Sequence, residues 1–199
     1  MESKDVFEKM ASRYDTEDRV RIAKVIVQEV RSELVDTKEK TALDYGCGTG
    51  LIGLGLIDLF QSMLFIDASP QMIEQVRKKI EDARIERAST LCCDILQELP
   101  PIQVDYIFMA QVLLHIKDSH LILTRLSEIL KADGHLIIVD FDKNESIPSD
   151  RVHNGFEQSA LIDLARQVGF TSATARTFYH GQKLFMNQDA SMFILHAMK

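Results

Sequence analysis

Apolar residues at Val20, Ala23, Val27, Val30 and Leu34 are spaced by three and four, which predicts an amphipathic helix over 20–35. Residues 41–45, Thr-Ala-Leu-Asp-Tyr, read as a short strand running into Gly46. A helix is expected over 51–60 and an apolar strand over 63–66. Ser69 and Pro70 then supply an N-cap and a first helical residue, with Met72, Ile73, Val76 and Ile80 as the buried face of the helix they start. Strands are expected over 88–93 and 104–110. The helix over 118–130 should turn Leu121, Ile122, Leu126 and Ile129 inward. Ala132-Asp133-Gly134 makes a turn into a strand over 135–141, and the unbroken run Leu136-Ile137-Ile138-Val139 suits a strand covered on both faces.

Beyond Asn144 the texture changes. Residues 144–153 are polar and contain a proline, as a loop or lid would. A helix over 159–168 should stop at Gly169. Segments 170–179 and 191–198 are β-like, broken at Gly181 and at 187–189, and a short connection makes such neighbours antiparallel. Strands alternating with helices, then a helix and two strands, belong to the α/β layer class.

Composition narrows the function. The chain has 199 residues, enough for one domain with a full core, and is 46% hydrophobic and 27% charged. Its net charge of −7 removes the long-range attraction on which non-specific binding to nucleic acid or anionic membranes relies. The basic run Arg77-Lys78-Lys79 is interleaved with Glu74, Glu81 and Asp82, as on a solvated helix face. The most apolar stretch, 51–60, contains Asp58 and two glycines and falls far short of the ~20 residues of a membrane span. The charged start Met1-Glu2-Ser3-Lys4-Asp5 leads into no signal-peptide core, and Cys47, Cys92 and Cys93 fit neither a disulfide framework nor a metal site. A cytoplasmic protein is expected.

The chemistry concentrates in Leu43-Asp44-Tyr45-Gly46-Cys47-Gly48-Thr49-Gly50, between a predicted strand and helix. Alternate glycines let the backbone turn tightly and approach a ligand at the carboxyl end of the strand, where open α/β sheets bind ligands. Asp44 would repel a pyrophosphate but suits an ammonium or sulfonium group. The same letters allow a second parsing: Gly48-Thr49-Gly50-Leu51-Ile52-Gly53 fits the dinucleotide fingerprint, with Asp67 at a suitable distance. Asp67 ends the second strand and can accept hydrogen bonds from both ribose hydroxyls of either kind of cofactor. Alternatively, its charge simply favours the following helix N-terminus. Asp94 ends the third strand and suits an adenine amino group, or else caps the next segment. Three carboxylates ending three successive strands point to one crevice.

Taken in order, FEKMASRYD (7–15), LDYGCGTG (43–50), FIDASPQM (65–72), CCDI (92–95), DYIFMAQVLLHI (105–116) and LKADGHLIIVDFD (130–142) carry a resemblance. Up to about residue 142 the chain resembles the class I S-adenosylmethionine-dependent methyltransferases of the small-molecule type. The resemblance implies a Rossmann-like doubly wound α/β sheet, mostly parallel with an antiparallel C-terminal strand and helices on both faces. It implies a single domain over 1–199, residues 1–35 forming a helical cover over the cofactor and 144–199 contributing to the acceptor pocket. S-adenosylmethionine would be the cofactor and a small molecule the acceptor. Asp44 and the loop of Gly46, Cys47, Gly48 and Gly50 would contact the methionine moiety, and Asp67 the ribose. Ala68 and Met72 would line the adenine pocket, with Asp94 and the Ile95 backbone at the adenine edge. Ala110 and Gln111 would lie beside the methyl group, and Tyr14 would close over the cofactor. Gly53 and Gly55 are not required by the motif.

Transfer from a sulfonium is an in-line displacement with a neutral leaving group, so orientation and desolvation supply much of the rate. A general base is needed only when the acceptor must lose a proton. His115 is the candidate, a packed histidine being the alternative. Asp140 and Asp142, ending the fifth strand, can meet a polar or cationic acceptor, and His153 and His180 lie in the acceptor region or in plain loops. Phe156, Phe178 and Tyr179 either wall the acceptor or pack the core. Cys47 is a spacer within the loop. No Asn/Asp-Pro-Pro-aromatic tetrapeptide follows the fourth strand, against nucleic-acid amino methylation. An NAD-dependent oxidoreductase is the alternative enzyme, disfavoured by Asp44, Asp94 and the final pair of strands; a non-catalytic cofactor-binding domain is the other. The motifs specify neither the methylated atom nor the oligomeric state.

Overall fold

The computed structural model describes residues 14–147 and 152–199. Helix α1 (Glu17–Ser32) is capped by Thr16, and its buried residues are Ile22, Ala23, Ile26 and Val30. The buried face is therefore rotated from the expected one, since Val20 and Val27 are only half-buried. The strands are β1 (Thr41–Tyr45), β2 (Ser62–Asp67), β3 (Ala88–Cys92), β4 (Val104–Ala110), β5 (Leu130–Phe141), β6 (Ser172–Phe185) and β7 (Gln188–Met198). They form one sheet in the order β3-β2-β1-β4-β5-β7-β6. The first five are parallel, and β7 lies antiparallel between β5 and β6.

Connections β1–β2 and β2–β3 run one way along the sheet, and β4–β5 the other. Right-handed crossovers then send α2 (Leu51–Leu56) and α3 (Pro70–Asp82) to one face and α4 (Ser119–Ile129) to the opposite one. The order reverses between β1 and β4, where an open α/β sheet leaves a crevice at its carboxyl edge. Helix α5 (Gln158–Gln167) leads into the β6–β7 hairpin, stopping at Gly169, whose φ is +103°.

Several local expectations change. The helix expected over 51–60 is one and a half turns of α2 followed by a 3₁₀ turn, Ile57–Leu59. On α4 the inward set is Ile122, Leu123, Leu126, Ser127 and Ile129, while Leu121 is exposed: it stands one residue, about 100°, off the stripe. The 132–134 turn becomes an outward excursion of β5, with Leu130 opposite Val104 and His135 opposite Tyr106. Gly181 marks a register shift inside β6, and the hairpin turns instead at Met186-Asn187, both at positive φ (+51° and +61°), the geometry that matches strand twist in two-residue hairpins.

Two glycines owe their presence to packing. A Cβ on Gly53 would strike the Phe65 ring, stand 2.6 Å from Asp44 Oδ2 and 2.9 Å from Met63 Sδ, so α2 lies directly on the sheet only with glycine there. One on Gly55 would stand 2.7 Å from a Val27 methyl, where α1 crosses α2.

Candidate active site

The loop after β1 is tied to β2 before it reaches any ligand. The amides of Gly46 and Cys47 both donate to the Ile66 carbonyl (2.8 and 3.0 Å), and Gly50 N donates to Cys47 O (2.8 Å). Gly46, Gly48 and Gly50 all have positive φ (+66°, +53° and +81°), so the alternate glycines are a conformational requirement. Gly48 N donates to Asp67 Oδ2 (2.9 Å), and Ser69 N donates to Asp67 Oδ1 (2.8 Å). Asp67 thus braces both the glycine loop and the start of α3.

Asp44 points inward. It is buried, its Oδ2 accepts from Gly53 N (2.9 Å), and burial pushes its carboxyl up to about 7, with the negative charge of Asp67 adding to the rise and the Gly53 bond opposing it. Tyr45, next in the strand, has its phenol raised by burial, with the negative charges of Asp94 and Asp67 adding to the rise. Asp94 also caps the turn that follows it, accepting from Leu96 N (3.1 Å) and Gln97 Nε2 (2.9 Å). Ala68 is half-buried, while the side chains of Met72 and Ile95 are wholly inside. Cys47 is buried and its thiol raised well above the usual range by burial, as a spacer should be and an activated thiol should not.

Tyr14 is the first described residue; the remainder of the stretch 7–13 lies outside the described residues. Its ring stands 3.8 Å from where a Gly48 Cβ would be, and the Arg19 guanidinium sits 3.9 Å over it. Burial raises its phenol, Arg19 works against that, and Asp67 and Asp15 add to it. Beside it, Asp15 accepts from the Thr49 hydroxyl and pairs with Lys79 Nζ (2.6 Å), which also donates to Thr49 O (2.7 Å). Sequence reasoning missed this latch: Lys79 belonged to a run expected to be merely solvated.

From the other side of the crevice, Val112 packs where a Gly46 Cβ would lie, bringing the end of β4 against the glycine loop. Ala110 and Gln111 are half-buried; Gln111 has φ +56°, donates its amide to Val139 O (2.7 Å) and lays its side chain against Met192 Sδ (3.6 Å). His115 ends the 3₁₀ turn Leu113–His115, half-buried, and burial lowers its pKa, so it is neutral at pH 7.

The two fifth-strand carboxylates differ in surroundings, Asp140 inside the fold and Asp142 half-buried at its edge. Asp140 is fully enclosed; its Oδ2 accepts from Leu114 N (3.1 Å) and its Oδ1 from Phe141 N (2.8 Å). Asp142 is held by Gln158 Nε2 (2.6 Å) and the Thr177 hydroxyl (2.8 Å). His153 grips the 113–116 turn, donating its amide to Leu114 O (2.8 Å) with Nε2 2.9 Å from Ile116 O. Exposed His180 bonds Ser191 Oγ (2.7 Å). Phe156 is buried beside His153, and half-buried Phe178 and Tyr179 lie on β6, where Tyr179 accepts from Arg21 of α1 (3.2 Å). Among the described residues no helix is long and apolar enough to cross a membrane.

Residues 36–187 match the family model described as a methyltransferase domain. The chain belongs to that family. As a methyltransferase domain it is 27% identical over 150 residues to an uncharacterised methyltransferase of Schizosaccharomyces pombe, covering 71% of this chain and 52% of the yeast protein. It is 26% identical over 125 residues to (S)-coclaurine N-methyltransferase of Papaver somniferum, covering 62% of this chain and 35% of the poppy enzyme. The domain therefore spans about half of the first relative and about a third of the second. Phosphoethanolamine N-methyltransferase 2 of Haemonchus contortus, solved with phosphomonomethylethanolamine and S-adenosylhomocysteine, shares the fold. Its TM-score is 0.69 at 16% identity, over 82% of this chain and 49% of that one. Methyltransferase membership replaces the oxidoreductase reading of the glycine loop.

Proposed function

We propose that this methyltransferase moves the methyl group of S-adenosylmethionine to a small-molecule acceptor in the cytoplasm. The observation that carries the reading is Asp67: its carboxylate is fixed by Gly48 and Ser69 amides at the carboxyl edge of the sheet, beside the glycine loop that Tyr14 covers, where the ribose hydroxyls of the donor would meet it. Asp94 stands at the end of the neighbouring strand for the adenine edge, and Tyr14 with α1 forms the cover. On this reading the acceptor lies beside Gln111 and His115, at the end of β4. A net charge of −7 favours neither nucleic acid nor anionic lipid as acceptor, and the poppy and nematode relatives are named for small amine substrates.

In the reaction, a lone pair of the acceptor forms a bond to the methyl carbon while the carbon–sulfur bond breaks and its electrons return to sulfur. The product thioether is neutral, and no anion needs stabilising on the leaving group. The domain's contribution is orientation and exclusion of water, worth up to ~7–11 kcal/mol when the reacting atoms are well aligned. Where the acceptor carries a proton, neutral His115 takes it.

Isothermal titration with S-adenosylmethionine, S-adenosylhomocysteine and NAD+ tests the reading. The first two should bind and the third should not, and Asp67→Ala should weaken both by at least tenfold. Binding of neither adenosyl ligand to the wild-type chain would overturn the proposal.

A further inference from the structure

The turn that carries His115 is held from both sides by hydrogen bonds from other parts of the chain. From beneath, Asp140 at the end of β5 accepts the Leu114 amide at 3.1 Å. From above, the segment after the loop gives the Leu114 carbonyl its hydrogen bond from His153 N (2.8 Å) and sets the His153 ring 2.9 Å from Ile116 O. Both polar backbone atoms of Leu114 are therefore committed to partners from distant parts of the chain. The turn has few internal bonds, His115 N to Val112 O and Ile116 N to Leu113 O, too few to fix a three-residue segment by itself.

Asp140 is an expensive residue to place there. It is fully enclosed, between Val139 and Phe141, themselves buried, and it accepts from the backbone amides of Leu114 and Phe141, with the Leu113 amide also bonding to it. An apolar residue would fill the same space without leaving a carboxyl group in the core. A short acceptor at this point is explained by the amides it satisfies, and those amides belong to the segment that delivers His115.

We propose that Asp140 is a positioning residue for His115: by accepting the Leu114 amide it fixes the Leu113–His115 turn and with it the direction of the imidazole at the end of β4. The inference rests on the methyltransferase reading only for what His115 does; the mechanical claim about the turn stands apart from it. His153 is the second half of the same clamp, and removing either half should loosen the turn.

The test compares Asp140→Asn and Asp140→Leu with wild type, both variants left with every group assigned to the adenosyl site. Three readouts are taken. The His115 ring is followed by proton–nitrogen correlation spectra over pH 5–8, assigned with His115→Gln. Amide exchange is followed at Leu114, and S-adenosylhomocysteine binding is measured by titration. Asp140→Leu should speed exchange at Leu114 at least tenfold and move the His115 pKa up toward its ordinary value, with product affinity within threefold of wild type. Asp140→Asn, which keeps one oxygen acceptor, should fall between, and if the leucine variant does not fold, faster Leu114 exchange in the asparagine variant decides for the proposal. A His115 titration and Leu114 exchange unchanged in the folded variants would overturn it. Absent product binding in wild type would instead sink the methyltransferase reading and leave the turn result standing.

Discussion

Asp44 Oδ2 lies 2.9 Å from the amide nitrogen of Gly53 and 2.6 Å from the point where a Cβ on that glycine would stand. The acidic residue of the glycine loop and the third residue of α2 are thus one fitted unit. Gly53→Ala should gain up to ~1 kcal/mol of helix propensity and lose more through overpacking against Phe65, Met63 and the carboxylate, for a net destabilisation of ~1–3 kcal/mol. In Gly55→Ala the nearest atoms are those of one side chain, Val27, with no carboxylate or ring among them, so it should destabilise by less than Gly53→Ala, about 1 kcal/mol. Urea denaturation of the two variants checks the order; equal midpoints would contradict the fitted-unit account.

Asp44 and Asp140 are both buried and both raised to about 7 by that burial, so the folded chain holds their protons more tightly than the unfolded chain does. The sign follows directly. Stability present below the unfolded carboxyl pKa of ~4 is lost as pH rises toward about 7, by an amount on the order of several kcal/mol for the pair. Melting temperature should therefore fall between pH 5 and pH 8 in the absence of cofactor. Asp44→Asn should flatten that fall, and a slope unaltered by Asp44→Asn and by Asp140→Asn alike would count against the assignment.

The charged sulfur gives a related outcome. A sulfonium near the loop favours ionised Asp44, so S-adenosylmethionine binding should release a proton near pH 7 and tighten from pH 6 to pH 8. S-adenosylhomocysteine, neutral at sulfur, should show a flatter dependence. Titration calorimetry in buffers of different ionisation enthalpy measures the proton count, and identical counts for the two ligands would remove Asp44 from the sulfur's surroundings.

The Asp15–Lys79–Thr49 latch is partly exposed, with both charged side chains at 32%, and its ion pair is worth at most ~1 kcal/mol to the fold. Its effect should appear in kinetics instead. Lys79→Gln should leave the denaturation midpoint nearly unchanged while speeding S-adenosylhomocysteine dissociation severalfold in stopped-flow measurements. An unchanged dissociation rate would show that the latch does not govern release.

The strands and the glycine loop were legible because each follows from local spacing. Ser69-Pro70 announces α3 by residue type, and 104–110 appears in the structure with the bounds read from its apolar run. What escaped depends on partners far along the chain. Gly53 and Gly55 have no reason in the motif until Phe65, Asp44 and Val27 are seen occupying the space beside them. Asp140 looked like an acceptor contact because β5 ends near the crevice; only the packing of the 113–116 turn reveals that its oxygens face inward. Lys79 sits in a run of alternating charge, and nothing in that run tells it from Lys78 until Asp15 arrives from 64 positions away. Leu121 and Leu123 are the same residue two places apart, and the stripe that decides between them is set by neighbouring layers.

Strand β7 comes last in chain order among the seven strands of the described residues, yet it lies between β5 and β6 and buries Met192, Phe193, Ile194 and Leu195. During synthesis the parallel half can assemble early, but β5 keeps an open hydrogen-bonding edge until residue 198 is available. A nascent chain stalled short of that point presents an adhesive border to its neighbours. Pairing with β7 is what closes that border.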